Sequence, residues 1–225
     1  MHVEIRHSPS FALGRLTLAG GEVARVESGA MAAHSAGVHL DAKMEGGLMK
    51  SLRRSVLGGE SLFMSTYTAP DEGGWVDVAP RLPGDVFTAE VDGTYILTRG
   101  AFLAFSAELQ LDTKWGGFGN LFGGEGGFLV HMTGTGTLVG SCYGALDRHV
   151  LAPGETITVD SGHLASYDEG IQISARKAAK GLVRTAKTSE DLVFDVTGPG
   201  EVTTQSRSPD EFVEWIIPLL PFSRS

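Results

Sequence analysis

Short apolar runs alternate with polar residues along the chain, and most runs stop at glycine, proline or aspartate. The stretch GEVARVESGAMAA at 21–33 shows the pattern, and so does GETITVDSGHLAS at 154–166. Alternation with a period of two puts successive side chains on opposite faces, as in a half-buried strand. In both stretches a Ser-Gly pair interrupts the run, which predicts two short strands joined by a hairpin. FLVHMTGTGTLVGSCYG at 128–144 reads the same way, with Thr-Gly as its punctuation. Strands of about 4–8 residues closed by frequent turn residues mark an all-β sandwich or barrel. Strand patterns do not alternate with long helical ones, which excludes a doubly wound parallel sheet.

The two opening stretches are also copies of each other, identical at six of thirteen positions. A looser third copy, GDVFTAEVDGTYI, lies at 84–96. Each begins with glycine and an acid: Gly21-Glu22, Gly84-Asp85 and Gly154-Glu155. Each has a later turn glycine, Gly29, Gly93 or Gly162. A carboxylate just after a turn glycine can accept from turn amides, so these acids read as turn chemistry and not as a catalytic set. His163 stands where the first copy has Ala30, and it reads as an incidental surface residue. A second phrase recurs at 58–69, 123–136 and 189–200, with Glu60, Glu125 and Glu190 each 65 apart. Two phrases sharing one period predict three tandem repeats in a single domain spanning 1–225. Their approximate bounds are 1–57, 58–122 and 123–188, with 189–225 as closing strands and tail.

Between the phrases lie three dissimilar excursions, 45–60, 115–127 and 173–191. They read as short helices or ordered loops leaving one face of the fold. The second carries Trp115, Phe118 and Phe122, aromatics suited to an interface. The third holds Arg176, Lys177, Lys180, Arg184 and Lys187, which share one side if the segment is helical. That face suits an acidic partner or an anionic membrane surface. The closing EFVEWIIPLLPFSRS at 211–225 reads as an end strand and a packing tail.

Composition narrows the function classes. Glycine at 31 of 225 residues fits many tight turns. A formal charge of −9 speaks against general nucleic-acid binding, which needs clustered Lys and Arg. Cys142 is the sole cysteine, so an intrachain disulfide is excluded. The first residues, MHVEIRHSPS, have no apolar signal core, and no apolar run approaches the roughly 20 residues of a membrane span. The expected location is cytoplasmic, or peripheral to the membrane.

Candidate chemistry is sparse. GSCYG at 140–144 outlines a nucleophile elbow around Cys142, with His149 nearby. The following ALDRHVLAPGE leads into the repeated turn and not into the helix an elbow needs. His34, His39 and Asp41 could meet at one metal only if a turn at Gly37 brings them to one side. The histidines at 2, 7, 131, 149 and 163 form no local ligand pattern. The glycine-rich run 116–127 lacks the Gly-Lys-Ser/Thr of a phosphate loop. No catalytic, metal or cofactor residue is assigned.

Four ordered segments carry a family resemblance: LAGGEVARVESGAMAAHSAGVHLD, GGLMKSLRRSVLGGESLFMSTYTA, GGEGGFLVHMTGTGTL and DVTGPGEVTTQSR. Over residues 10–217 the chain resembles the uncharacterised bacterial relatives of the mitochondrial altered-inheritance-of-mitochondria protein. The resemblance implies three β repeats around a pseudo-threefold axis. Each would be similar to a subunit of the tryptophan RNA-binding attenuation protein, a sandwich of the double-stranded β-helix type. It also implies further assembly, and no established reaction. The basic rim with which the attenuation protein binds RNA has no match on the recurring strands, and no nucleic-acid partner is expected. The function expected is a non-enzymatic scaffold or binding protein acting as a homo-oligomer, a trimer being favoured. The alternative is a small-molecule-binding or enzymatic sandwich with a pocket between repeats, near Cys142, His131 or His34.

Overall fold

The alternation along the chain becomes inward and outward facing in the strands. In β2 (Leu13–Leu18) Gly14, Leu16 and Leu18 are buried, and in β3 (Val23–Glu27) Ala24 and Val26 are. The structure, a computed structural model, describes residues 1–41, 64–115, 128–177 and 192–221.

The first stretch also contains β1 (His2–Arg6), β4 (Met31–His34), β5 (His39–Asp41), β6 (Met64–Thr68) and β7 (Gly74–Val78). β2 and β4 flank β7, β3 and β5 flank β6, and β1 adds to β2. In the middle stretch β8 (Val86–Thr98) and β11 (Phe128–Ser141) pair along their whole length, from Val86 opposite Ser141 to Thr98 opposite Leu129. β9 (Phe102–Ser106) pairs with the second half of β11, and β10 (Gln110–Trp115) with its first half. The last stretch holds β12 (Leu146–Leu151), β13 (Thr156–Asp160), β14 (Leu164–Asp168), β15 (Gln172–Lys177), β16 (Leu192–Thr197) and β17 (Gly200–Gln205). There β12 and β14 flank β17, and β13 and β15 flank β16.

Two more ladders join the stretches, β3 to β9 and β8 to β14. All the ladders are antiparallel. They build a four-stranded, a ten-stranded and a three-stranded sheet. The fold is therefore mostly β. Three apolar clusters fill it, one around Leu16, Val26 and Val76, one around Phe105, Leu109 and Met132, and one around Leu164, Phe194 and Val202. Complete burial of a side chain such as Phe105 or Phe194 contributes about 1.5–3 kcal/mol.

Several sequence expectations are corrected. The Ser-Gly turns do not make hairpins. β3 pairs with β6 and β9 while β4 pairs with β7, and β13 and β14 lie in separate sheets. The turn is a corner that carries the chain from one sheet to another, so each strand's inward side chains meet a core already walled by the other. At the later copy this corner is a 3-10 turn, Ser161–His163, in which Asp160 Oδ1 accepts from the Gly162 N–H at 2.9 Å. At the earlier copy Gly29 takes a φ of +90°.

The third copy at 84–96 is out of step with the other two. Gly93 is no corner: it lies within β8 opposite Gly134, and both take positive φ while the ladder runs on through them. Gly84 precedes β8 in a bridge to Gly144, where three chain segments converge. Its carbonyl accepts from Ala12 N–H at 2.9 Å, and Gly144 donates to Pro83 O at 3.0 Å.

The closing segment is not a strand either: Pro209–Ile216 form helix α1, followed by a 3-10 turn over Ile217–Leu219. Arg176 and Lys177 end β15, so the expected helix over 176–187 does not begin there; that strand is fixed by its pairing with Leu192 and Val193. Trp115 ends β10 with its backbone paired to Phe128. Phe118, Phe122, Lys180, Arg184 and Lys187 lie outside the described residues. The chain between 41 and 64, between 115 and 128 and between 177 and 192 connects β5 to β6, β10 to β11 and β15 to β16, antiparallel partners in each case.

A methyl group on Gly84 would overlap the Cys142 carbonyl oxygen, whereas one on Gly93 meets nothing within 4 Å. Gly84→Ala is expected to lose about 3 kcal/mol or more through forced backbone displacement. Gly93→Ala is expected to lose about 1–2 kcal/mol, from its positive φ alone. Urea denaturation of both variants measures the contrast, and equal losses would contradict the assigned junction.

Candidate functional site

The recurring acids serve turns. At 19–22 and 152–155 the chain folds through Ala19-Gly20-Gly21-Glu22 and Ala152-Pro153-Gly154-Glu155, with φ of +72° at Gly21 and +80° at Gly154. Glu22 Oε2 accepts from the Ala19 N–H at 2.7 Å, and Glu155 Oε2 from the Ala152 N–H at 2.8 Å. Glu22 also pairs with the N-terminal ammonium. Asp85 differs: it is buried at the junction and accepts from Ser8 Oγ at 2.8 Å and from its neighbour Val86 N–H at 2.9 Å.

Cys142 is buried at the same junction, its N–H on the Asp85 carbonyl at 3.0 Å. Burial pushes its thiol up to about 11, far from a reactive thiolate at neutral pH. The chain then runs through Gly144 into β12, not into a helix. His149 Nε2 lies 3.1 Å from Thr204 Oγ1 across the β12–β17 ladder.

The other histidines also stand apart. His34 belongs to the four-stranded sheet, with Nδ1 3.0 Å from the Ser35 carbonyl, whereas His39 and Asp41 lie on β5 in the ten-stranded sheet. Among the described residues no group of three His, Cys, Asp or Glu is placed to hold a metal ion. His131 sits mid-ladder on β11, opposite Ile96 and Asp112. His163 is not incidental: its Nδ1 lies 2.7 Å from the Gln205 carbonyl and ties the corner to β17.

Two clusters escaped sequence reasoning. Asp77 on β7 is buried between Arg15 and Arg6. Arg15 reaches it with Nε at 2.8 Å and Nη2 at 2.9 Å, and Arg6 Nη2 at 2.7 Å. Arg15 also lies over the Trp75 ring, 3.9 Å from its centre. Hydrogen bonds from Arg15, with the charges of both arginines, hold the Asp77 carboxyl below the usual range, although burial opposes this. Residues 6, 15 and 77 share no local spacing, so only the β1–β2–β7 pairing brings them together. Arg176 pairs with Asp195 at 2.6 and 3.0 Å on the exposed side of the β15–β16 ladder.

The second cluster is apolar. Ser208 Oγ accepts from the Glu211 N–H at 3.3 Å and starts α1, with Pro209 at its first turn. The Ser-Pro-Asp-Glu order is a helix-start signal readable in the sequence. Phe212 rests on Tyr143, ring centres 5.8 Å apart, and nothing of α1 is fully buried. Beyond it Trp215 and Leu219 are each 65% exposed, with Val213, Ile217 and Leu220 exposed beside them. No helix among the described residues is long and apolar enough to cross a membrane.

The family described as Mitochondrial biogenesis AIM24 matches residues 3–207. The chain belongs to the AIM24 family. An uncharacterised protein of Streptococcus pyogenes serotype M6 is 31% identical to it, over 99% of this chain and 92% of that one. The crystal structure of another Streptococcus pyogenes protein superposes with a TM-score of 0.79 at 26% identity, covering 97% of this chain and 99% of the other. Membership in AIM24 brings no reaction with it, so function rests on the geometry.

Iodoacetamide at pH 8 should modify Cys142 of the native protein at least about 100-fold more slowly than the urea-unfolded chain, because burial raises the thiol pKa. Rapid native labelling would remove Cys142 from the core. For Asp77 the folded pKa is depressed. Its stabilisation is therefore complete above the ordinary aspartate value of about 3.9 and is lost as pH falls through the lower folded value. Asp77→Asn should lower the urea midpoint near neutral pH and flatten its fall under acid, measured against the parent from about pH 6 to 2.

Proposed function

We propose that this AIM24 protein is a non-enzymatic scaffold that works by associating with further copies of itself. The observation that carries this reading is the exposed apolar surface of the C-terminal segment around Trp215 and Leu219. The partner is another copy and not an anionic membrane, because α1 presents Asp210, Glu211 and Glu214 and no basic residue. Trimeric order is the stoichiometry expected. A role without catalysis is supported by the work the ionisable groups described above do in turns, ion pairs and ladders.

The platform is read as three copies of one six-stranded unit, over about 13–78, 86–141 and 146–205. Two features support this. The order of pairing within β2–β7, within β8–β11 and within β12–β17 is the same. A bulge falls at the matching place in each, at Met31/Ala33, at Val139/Gly140 and at Leu164/Ser166. The likeness of each unit to a subunit of the tryptophan RNA-binding attenuation protein belongs to the same proposal; the pseudo-threefold axis does not, because such closure would set β13 beside β4 of the same chain, a ladder absent among the described residues.

Light scattering on a sizing column tests the assembly. The parent should elute above the mass of one chain, and Trp215→Glu with Leu219→Glu should bring it down to that mass. Because both side chains are exposed on the single chain, stability measured at a dilution where the parent is also a single chain should stay within about 0.5 kcal/mol of the parent. A parent that is monomeric at tens of micromolar rules the scaffold reading out.

A further inference from the structure

The ladders that join the stretches leave two strand edges over. β3 pairs with β9, Val26 opposite Ala104, and the second half of β8 pairs with β14, Leu97 opposite Ser166. By their partners within each stretch, β3, the second half of β8 and β13 hold one position, and β4, β9 and β14 hold another. Among the described residues, one strand of each kind lacks the joining ladder: β13 and β4. Exposure follows this difference. β9 is buried throughout and β14 from Leu164 to Tyr167, while Ala32, Ala33 and His34 of β4 are exposed in succession, on both faces of the strand. On β13, Thr156 and Thr158 are exposed.

The missing ladder can be written residue by residue. Transferring the two observed registers sets His34 opposite Thr158, Ala33 opposite Val159 and Ser35 opposite Ile157. The backbone directions agree. Ser35 N–H is bonded to the Trp75 carbonyl at 3.0 Å, so the adjacent His34 turns its N–H and C=O to the open side. The Glu155 carbonyl takes the Gly198 N–H at 2.9 Å, and alternation from there leaves Thr158 facing outward from β16. No like charges fall opposite each other in this register.

We propose that β13 of one copy pairs with β4 of a second copy of this chain, joining the three-stranded sheet of one to the four-stranded sheet of the other. The two edges are complementary in kind, and the molecule already uses this pairing twice. An open edge with unpaired backbone groups is a template for such addition. The apolar segment is continuous with the same edge: Ser208, which starts α1, lies against Gly162 at the corner following β13. The inference rests on the self-association proposed above and names the surface that carries it.

The test uses full-length chains and light scattering. Proline is tolerated where an edge strand turns its N–H outward, so His34→Pro and Thr158→Pro each remove one docking donor and spare the ladders within the chain. Each variant alone should run at the mass of a single chain. An equimolar mixture should form two-chain species, since each variant supplies the edge the other has lost. A mixture that stays single-chain overturns the pairing. So do variants that keep the parent's assembly, and if Trp215→Glu with Leu219→Glu still dissolves that assembly, the scaffold reading survives. A monomeric parent overturns both. If either proline variant fails to fold, hydrogen exchange on the parent decides: the His34 and Thr158 amides should lose protection on dilution. Protection independent of concentration means the edges close within one chain, and the proposal fails.

Discussion

The β3–β9 and β8–β14 ladders pair residues far apart in the chain, Ala24 with Ser106 and Leu97 with Ser166. Each closes a long loop, and that closure costs conformational entropy before any apolar contact offsets it. The compensation lies on the paired strands. Phe105, Ala104 and Leu97 are wholly buried, and Tyr95 OH meets Ser166 Oγ at 2.9 Å inside the structure. Remove these ladders and three small cores would stand separately, each close to the size at which a domain is marginal. The backbone bridge between Gly84 and Gly144 makes a second demand, for residues without a side chain, because a methyl group on Gly84 would overlap the Cys142 carbonyl and one on Gly144 the Ser206 hydroxyl.

Polar chemistry in this molecule is used mostly for construction. Glu22 and Glu155 close turns, Asp160 holds a corner, and Asp77 clamps β1 and β2 to β7 through two arginines. Breaking a buried pair such as Asp77 with Arg15 strands the other charge, so stability is enough to constrain a group in this position. Among the described residues, the fold also leaves apolar side chains exposed on α1 and outward-facing backbone along β4 and β13.

Strand existence was legible from alternation, because one face of each strand is buried and the other is not. The acids at 22 and 155 were legible as turn formers, since a carboxylate beside a turn glycine meets local amides. Corners were misread as hairpins because Ser-Gly has the same local chemistry whether the next strand returns beside the last or crosses to another sheet. The middle copy was aligned one turn out of step: Asp92-Gly93 looks like Glu-Ser-Gly, but its backbone continues a ladder where the other copies turn. Helix α1 was missed although Ser208, Pro209 and Glu211 announce it, because its apolar residues outweighed the cap. The Arg6–Arg15–Asp77 clamp was invisible, since its members meet only through strand pairing.

β5 and β6, β10 and β11, and β15 and β16 are antiparallel partners, so the residues that bound each intervening stretch belong to one ladder. Their bases are held by the register of those ladders, and loop closure grows only slowly more costly with length. The bounding ladders therefore set a fixed pair of end points for each connection, whatever the number of residues between them. A change of length between those end points adds little closure entropy at any of the three sites.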